Sequence, residues 1–329
     1  MTGSTVGVLG AGSWGTALAM QLARNGAPAW LWGRDAAQLA AMQAARCNAR
    51  YLPDLPFPEQ LHIEPELDRV LAACTDILIA APSSALRAVL QPLAATAHRV
   101  VWATKGFEEN SGKLPHEVAQ EVLGRLRPLA VLSGPSFARE VAAGLPTAVT
   151  LAAADAAFGE DFAARLHGGA FRVYTSDDII GVEVGGAVKN VIAIGAGLAD
   201  GLGFGANARA ALITRGLSEI QRLGIALGGR PETFVGLAGL GDLVLTCTDD
   251  QSRNRRCGKL LANGLSATVA QTEIGQVVEG VAAARETRRV AARAGVDMPI
   301  SEQVYRVLYE GLPPRAAVEA LLDRERKTE

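Results

Sequence analysis

The strongest constraint on the fold lies near the start of the chain. Val6-Gly7-Val8-Leu9 is a short apolar run, Gly10-Ala11-Gly12-Ser13-Trp14-Gly15 follows it, and Thr16-Ala17 opens a helical pattern. The segment reads as a strand, a tight turn and a helix start, with glycines spaced G-x-G-x-x-G. Gly10 permits the turn, Gly12 lets a pyrophosphate approach the backbone, and Gly15 lets helix and strand pack closely. The helix N-terminus then faces the anion. The spacing alone is a weak signal in a chain with 36 glycines. Its place between a strand and a helix, with a second strand behind, points to dinucleotide binding. No G-x-x-x-x-G-K-[ST] occurs, which argues against a P-loop nucleotide hydrolase.

The rest of the first half continues that alternation. Short β-branched or large apolar runs at Thr5–Leu9, Ala29–Trp32, Asp76–Ala81, Val100–Thr104 and Ala130–Ser133 read as buried strands. Helical patterns fall between them, at about 13–25, 35–45, 64–73, 84–95 and 115–124. The order predicts an α/β fold, a Rossmann-like doubly wound sheet with helices on both faces. Two further strand-like runs, Thr147–Ala152 and Phe171–Tyr174, precede a change near Ser176. Beyond it only helical patterns remain, at about 178–200, 207–227, 252–262, 276–294, 301–310 and 314–324, so the C-terminal part is expected to be all-α. The expected domains are 1–178 for the dinucleotide and 179–329 for substrate binding and catalysis.

Composition narrows the class of function. With 329 residues, 49% hydrophobic and 20% charged, the chain can bury a sizeable core and is not disordered. The net charge of −2, without a long block of one sign, gives no reason to expect nucleic acid or a membrane surface as partner. Cys47, Cys74, Cys247 and Cys257 form no C-x-x-C pair, which suits a reducing compartment, and no secretory signal pattern opens the chain. The most apolar helical stretch, Val191–Ala199, is short for a bilayer. The expectation is a cytoplasmic protein with no integral membrane contact.

Several residues carry chemistry in their own right. Arg34-Asp35 ends the second strand. An acidic residue there binds the ribose 2′-hydroxyl of NAD, whereas an arginine accepts the 2′-phosphate of NADP. Arg34 comes first, so NADP is expected, with NAD tolerated; a solvated loop arginine is the plain alternative. Lys105 stands just past a buried strand, where open α/β sheets bind ligands. Ser133-Gly134-Pro135-Ser136-Phe137-Ala138 is a second strand end, whose backbone N–H groups could hold an anion, while Ser136 could equally cap a helix. Lysine is scarce, five against 27 arginines, yet Lys189 and Asn190 interrupt an otherwise apolar helix. A desolvated lysine can exchange protons near neutral pH; a lysine snorkelling from a core helix would look the same. Asp242 and Thr246 are four apart and share a face if their segment is helical. Ser252-Arg253-Asn254-Arg255-Arg256 could form a phosphate site or a solvated basic turn. Gly275-Gln276-Val277-Val278-Glu279-Gly280 is a further short motif near a helix start, with no role that chemistry alone supplies.

Taken in order, GAGSWGTALA, ATKGFE, LSGPSFARE, EVGGAVKNVIAIGAG, GLGDLVLTCT, SRNRR and GQVVEG closely resemble the bacterial NAD(P)-dependent glycerol-3-phosphate dehydrogenase family, over nearly the whole chain and with no motif missing. The resemblance implies reversible hydride transfer between dihydroxyacetone phosphate and sn-glycerol 3-phosphate, in support of phospholipid synthesis. By motif position it makes Lys189 the general acid/base. It places Lys105, Gly134, Ser136, Asp242, Ser252, Arg253 and Asn254 on the small phosphorylated substrate, to which Asn190 and Thr246 are added as neighbours. It places Ser13, Trp14, Arg34, Lys105, Ala138, Arg253, Val277 and Glu279 on the cofactor, beside Gly10, Gly12 and Gly15. No metal is implied, and a homodimer is compatible with the large apolar helical half. The competing readings are another two-domain hydroxyacid or hydroxyacyl dehydrogenase and a dinucleotide-sensing protein. The hydroxyacyl enzyme would be expected to carry a catalytic histidine, and none of the four histidines sits in a suitable motif; the sensing protein would be expected to lose Lys189 or Asp242, and both are present.

Overall fold

In the computed structural model, which describes residues 5–322, strand β1 (Val6–Leu9) is followed in chain order by α1 (Ser13–Arg24), β2 (Ala29–Trp32), α2 (Ala36–Ala45), β3 (Cys47–Asn48), β4 (Leu52–Pro56) and β5 (Leu61–Ile63). Then come α3 (Leu67–Ala73), β6 (Asp76–Ile79), α4 (Ser83–Leu90), β7 (Arg99–Trp102), α5 (Pro115–Leu123), β8 (Leu129–Ser133), α6 (Ala138–Ala143), β9 (Thr147–Ala153), α7 (Ala156–Leu166) and β10 (Phe171–Ser176). Eight strands form one sheet in the order β10-β9-β8-β7-β6-β1-β2-β5, parallel throughout except for the β8–β9 pair, and β3 and β4 form a separate hairpin. The order runs outward from β1 in both directions, so the chain reverses between β1 and β6, the place where such sheets take their ligand.

Alternation across the pleat explains why the strands read as unbroken apolar runs. Val6, Val8, Leu78, Val101 and Leu132 pack into one core with α1, α6 and α7. Their neighbours Ile77, Ile79, Val100 and Trp102 point the other way and are also fully buried. Both faces are covered, as a parallel sheet requires. The short β3, β4 and β5 fall outside the sequence reading because two to five residues are too few to establish a period. α6 is the helix onto which the Ser133–Ala138 strand end opens, whereas α7 has no counterpart in the sequence reading; Asp155 starts α7 by accepting from Phe158 N at 3.0 Å.

From α8 (Ile179–Gly201) onward every described element is helical: α9 (Gly205–Ala226), α10 (Pro231–Phe234), a π turn at Leu237–Gly241, α11 (Asp242–Thr248), α12 (Arg253–Ala262), α13 (Ala267–Ile274), α14 (Glu279–Ala294), α15 (Pro299–Tyr309) and α16 (Pro314–Leu322). The expected continuation of the last helix to 324 runs outside the described residues. α8 has a core on each side. Val184, Val188, Ile192 and Ala196 pack with residues of α9, α10 and α11, while Val191, Ile194 and Leu198 pack with α12 and α14. The whole 23-residue helix, longer than its most apolar stretch suggested, is long and apolar enough to span a bilayer; protein buries 89% of its apolar window.

The chain divides into two compact units. The first is the sheet unit, running to Lys105 and resuming at Pro115–Ile179. The second is the helical unit from Ile180, together with Gly106–Leu114. That short segment is fastened to the helical unit by its own side chains and backbone. Phe107 and Leu114 lie in the α8–α9 core, Arg293 donates to Ser111 O at 2.9 Å, and Asn110 N donates to Glu286 Oε1 at 3.3 Å.

Candidate active site

In the sheet unit, the fingerprint turn stands at the carboxyl ends of β1 and β6. Gly10 has φ of +127°, and a Cβ there would lie 2.4 Å from Ala80 O. A Cβ at Gly15 would lie 1.9 Å from Gly10 O, so both positions are closed by protein. Gly12 differs: a Cβ there would meet nothing within 4 Å. Gly12 is also the N-cap of α1, and no side chain caps that helix. An open approach to the backbone above uncapped helix N–H groups fits a pyrophosphate. Ser13 and Trp14 flank it half-buried, and Trp14 Nε1 is buried without a hydrogen-bond partner among the described residues. After β2, Arg34 is exposed, whereas Asp35 caps α2 by accepting from Gln38 N at 3.0 Å. The carboxylate is thus engaged in the helix while the guanidinium stands in solvent, a donor set suited to a 2′-phosphate.

A second group forms at the ends of β7 and β8. Lys105 Nζ donates to Gly134 O at 3.4 Å, and Ser136 Oγ donates to the same carbonyl at 3.0 Å. Ser136 is therefore not the cap of α6; that position belongs to Phe137, which gives no side-chain cap bond, and Ala138 is the first helical residue. The structure brings Lys105, Gly134 and Ser136 together around one carbonyl.

The third group lies in the helical unit and centres on Lys189. Its Nζ donates to Asp242 Oδ1 at 2.7 Å and to Thr246 Oγ1 at 2.8 Å, and all three residues are buried. The snorkelling alternative therefore does not apply. α11 is helical, so Asp242 and Thr246 do share a face, and Thr246 Oγ1 donates to Asp242 O at 2.6 Å. The π turn brings this helix start close to α8: a Cβ at Gly185 would sit 2.6 Å from Ala238 O.

The remaining helical-unit residues lie on α8, on or just before α12, and on or just before α14. Asn190 Nδ2 donates to Glu279 Oε2 at 3.2 Å, and Asn254 Nδ2 donates to Asn190 Oδ1 at 2.9 Å. Ser252 caps α12, accepting from Arg255 N at 3.2 Å. The arginine run is not a solvated turn. Arg255 is buried and paired with Asp200 and Asp250, while half-buried Arg253 takes part in none of these pairs. Val277 is 57% exposed. What the sequence reading did not contain is the closure of the Asn190–Asn254 pair by the backbone of Gly280, whose N donates to Asn254 Oδ1 at 2.9 Å. The only signal for it was a glycine at the end of an unexplained motif.

The model of the N-terminal region of NAD-dependent glycerol-3-phosphate dehydrogenase matches residues 5–159, and that of the C-terminal region matches residues 178–319. The chain is 59% identical over 326 residues to the glycerol-3-phosphate dehydrogenase [NAD(P)+] of Cronobacter sakazakii, covering 98% of this chain and 96% of that one. The same figures hold for the enzyme of Klebsiella pneumoniae. Among solved structures, glycerol-3-phosphate dehydrogenase of Coxiella burnetii is similar with a TM-score of 0.94 and 50% identity, covering 98% of this chain and 99% of that one. Matched in both halves and nearly end to end, the chain belongs to the NAD-dependent glycerol-3-phosphate dehydrogenase family.

Proposed function

We propose that the protein reduces dihydroxyacetone phosphate with NAD(P)H to sn-glycerol 3-phosphate, reversibly, and thereby supplies the glycerol phosphate backbone of phospholipids. The observation that carries this reading is the buried Lys189 ammonium, held by Asp242 and Thr246 in a chain of this family. When bound, the nicotinamide supplies the hydride. Lys189 Nζ gives its proton to the substrate's ketone oxygen as negative charge develops there, and in the reverse direction takes the hydroxyl proton. Asp242 and Thr246 each accept from Nζ and so aim the lysine. The substrate is held by Lys105, Gly134, Ser136, Asn190, Asp242, Thr246, Ser252, Arg253 and Asn254. Arg253, outside the Arg255–Asp200–Asp250 pairs, is the one that takes the phosphate. The phosphate is remote from the reacting carbon, so its binding energy serves orientation.

Gly10, Gly12, Ser13, Trp14, Gly15, Arg34, Lys105, Ala138, Arg253, Val277 and Glu279 hold the cofactor, with Arg34 favouring NADP. Residues 1–178 form the dinucleotide-binding domain and 179–329 the domain for substrate binding and catalysis, with Lys105, Gly134 and Ser136 of the first also on the substrate and Arg253, Val277 and Glu279 of the second also on the cofactor. A cytoplasmic homodimer without membrane contact completes the proposal; sedimentation of the purified protein tests the dimer. The function is tested by loss of NADPH absorbance on adding dihydroxyacetone phosphate, with NADH in parallel. Oxidation that requires the phosphate supports the reading. No oxidation with either cofactor, by folded protein that binds NADPH, overturns it.

A further inference from the structure

We propose that Gly280 is a positioning residue: its backbone N–H sets the polarity of the Asn254 and Asn190 amides, so that both offer N–H groups rather than carbonyls to the phosphorylated substrate. The inference rests on the function proposed above and concerns the motif that sequence chemistry left without a role. An asparagine amide is ambivalent, with a donor end and an acceptor end of nearly equal size. An anion tolerates only the donor end. Something must therefore fix which way each amide points.

The structure supplies a closed ring that does this. Gly280 N–H can only donate, and it donates to Asn254 Oδ1 at 2.9 Å. The Asn254 oxygen is thereby fixed, and its Nδ2 must donate to Asn190 Oδ1, at 2.9 Å. Asn190 Nδ2 is left to donate to Glu279 Oε2 at 3.2 Å, and an ionised carboxylate can only accept. Glu279 and Gly280 are consecutive at the start of α14, so one helix terminus holds both unambiguous ends of the relay. Neither amide can turn over without opposing like groups at one of those ends. The relay uses one N–H of each NH2 group and leaves the other for a ligand.

The residue type follows from the same geometry. A Cβ at position 280 would lie 2.6 Å from Asn190 O, 2.8 Å from Asn254 Oδ1 and 2.8 Å from Ile194 Cδ1. Two of these are atoms of the site itself, and the first is backbone. Any side chain here pushes the amides apart, so only glycine brings its N–H within reach.

The test combines Gly280→Ala with an amide-to-ester exchange at position 280, which replaces the N–H by oxygen and adds no atoms that could prevent folding. In both, the Michaelis constant for dihydroxyacetone phosphate is expected to rise about tenfold or more, the scale of one lost hydrogen bond that also unfixes its neighbour. Turnover at saturation should fall less than the Michaelis constant rises. Side-chain amide resonances of protein labelled with 15N-asparagine provide a readout independent of activity. The Asn254 and Asn190 signals should shift together and exchange faster with solvent in the variants. Unchanged amide signals, or an unchanged Michaelis constant in the ester form, would overturn the relay. If the wild-type protein does not reduce dihydroxyacetone phosphate, the functional reading fails, and the amide resonances alone then decide whether the relay exists.

Discussion

At the scale of single residues, the same side-chain type serves structure at one position and chemistry at another, and partners decide which. Arg255 is buried and spent on Asp200 and Asp250, whereas Arg253, two residues earlier, is not. Lys189→Ala should lose most turnover, by at least about a hundredfold on the usual scale of acid–base catalysis, while NADPH still binds. Near wild-type turnover in that variant would sink the assignment of Lys189. Arg34→Ala should weaken NADPH far more than NADH; an equal loss for both would show that Arg34 does not read the 2′-phosphate. The cysteines give a cheaper check. Burial pushes Cys247 up to about 12 and Cys257 up to about 11, and burial with the nearby Asp76 charge pushes Cys74 up to about 12. Cys47 is half-buried. Native protein should therefore expose at most one thiol to an aromatic disulfide reagent at neutral pH, with the others reacting only on unfolding. More than one fast thiol would contradict the packing described.

Elements were legible in proportion to their length and their separation from neighbours. The long helices and the central strands follow from periodicity, because each presents a continuous face to one core. The elements that aim the site are short: α6, the π turn and α11 span only five to seven residues each. Their form is imposed by close contact with α8 and the sheet, which no local pattern encodes. Helix contact is also where glycines in α8, costly in an isolated helix, find their reason. A Cβ at Gly197 would lie 2.0 Å from Arg255 O, and one at Gly258 would lie 2.1 Å from Ile194 O. The two backbones of α8 and α12 meet directly, and this meeting sets Asn254 against Asn190. Because the obstructing atoms are backbone, Gly258→Ala should destabilise the helical unit by about 3 kcal/mol, read as a lower urea midpoint. A change within about 0.5 kcal/mol would show that the crossing is not tightly packed.

At the scale of the whole molecule, the ion pairs of one buried carboxylate in the sheet unit contribute to acid stability. Asp76 is fully buried at the start of β6. Burial alone would push its carboxyl up, but the Arg99 hydrogen bonds and the Arg165 and Arg99 charges outweigh it and hold it below the ordinary carboxylate range. A depressed carboxylate contributes stability that is present above its unfolded pKa and lost as pH falls through the lower folded value. The window is therefore below about pH 4. Asp76→Asn should cost about 1–3 kcal/mol at neutral pH, because a neutral amide replaces the buried carboxylate and leaves half-buried Arg99 and Arg165 with only the exposed Asp161, and the gap to wild type should narrow in that acid window. A gap that stays constant with pH would show that the ion pair is not its source.

What the sequence by itself determined was the class of fold and the family. Strand and helix periods, the fingerprint turn and seven ordered motifs are local, and local patterns survive being read along a line. It also supplied Asp242 and Thr246 as neighbours, since helical spacing converts four residues into one face. Tertiary structure decided what depends on approach between distant segments. Lys189 meets Asp242 across 53 positions, and Gly280 meets Asn254 across 26. Gly106–Leu114, flanked by sheet elements in sequence, gives Phe107 and Leu114 to the helical unit. Hydrogen bonds and buried volume are satisfied in space, and the chain order does not say which partners will satisfy them.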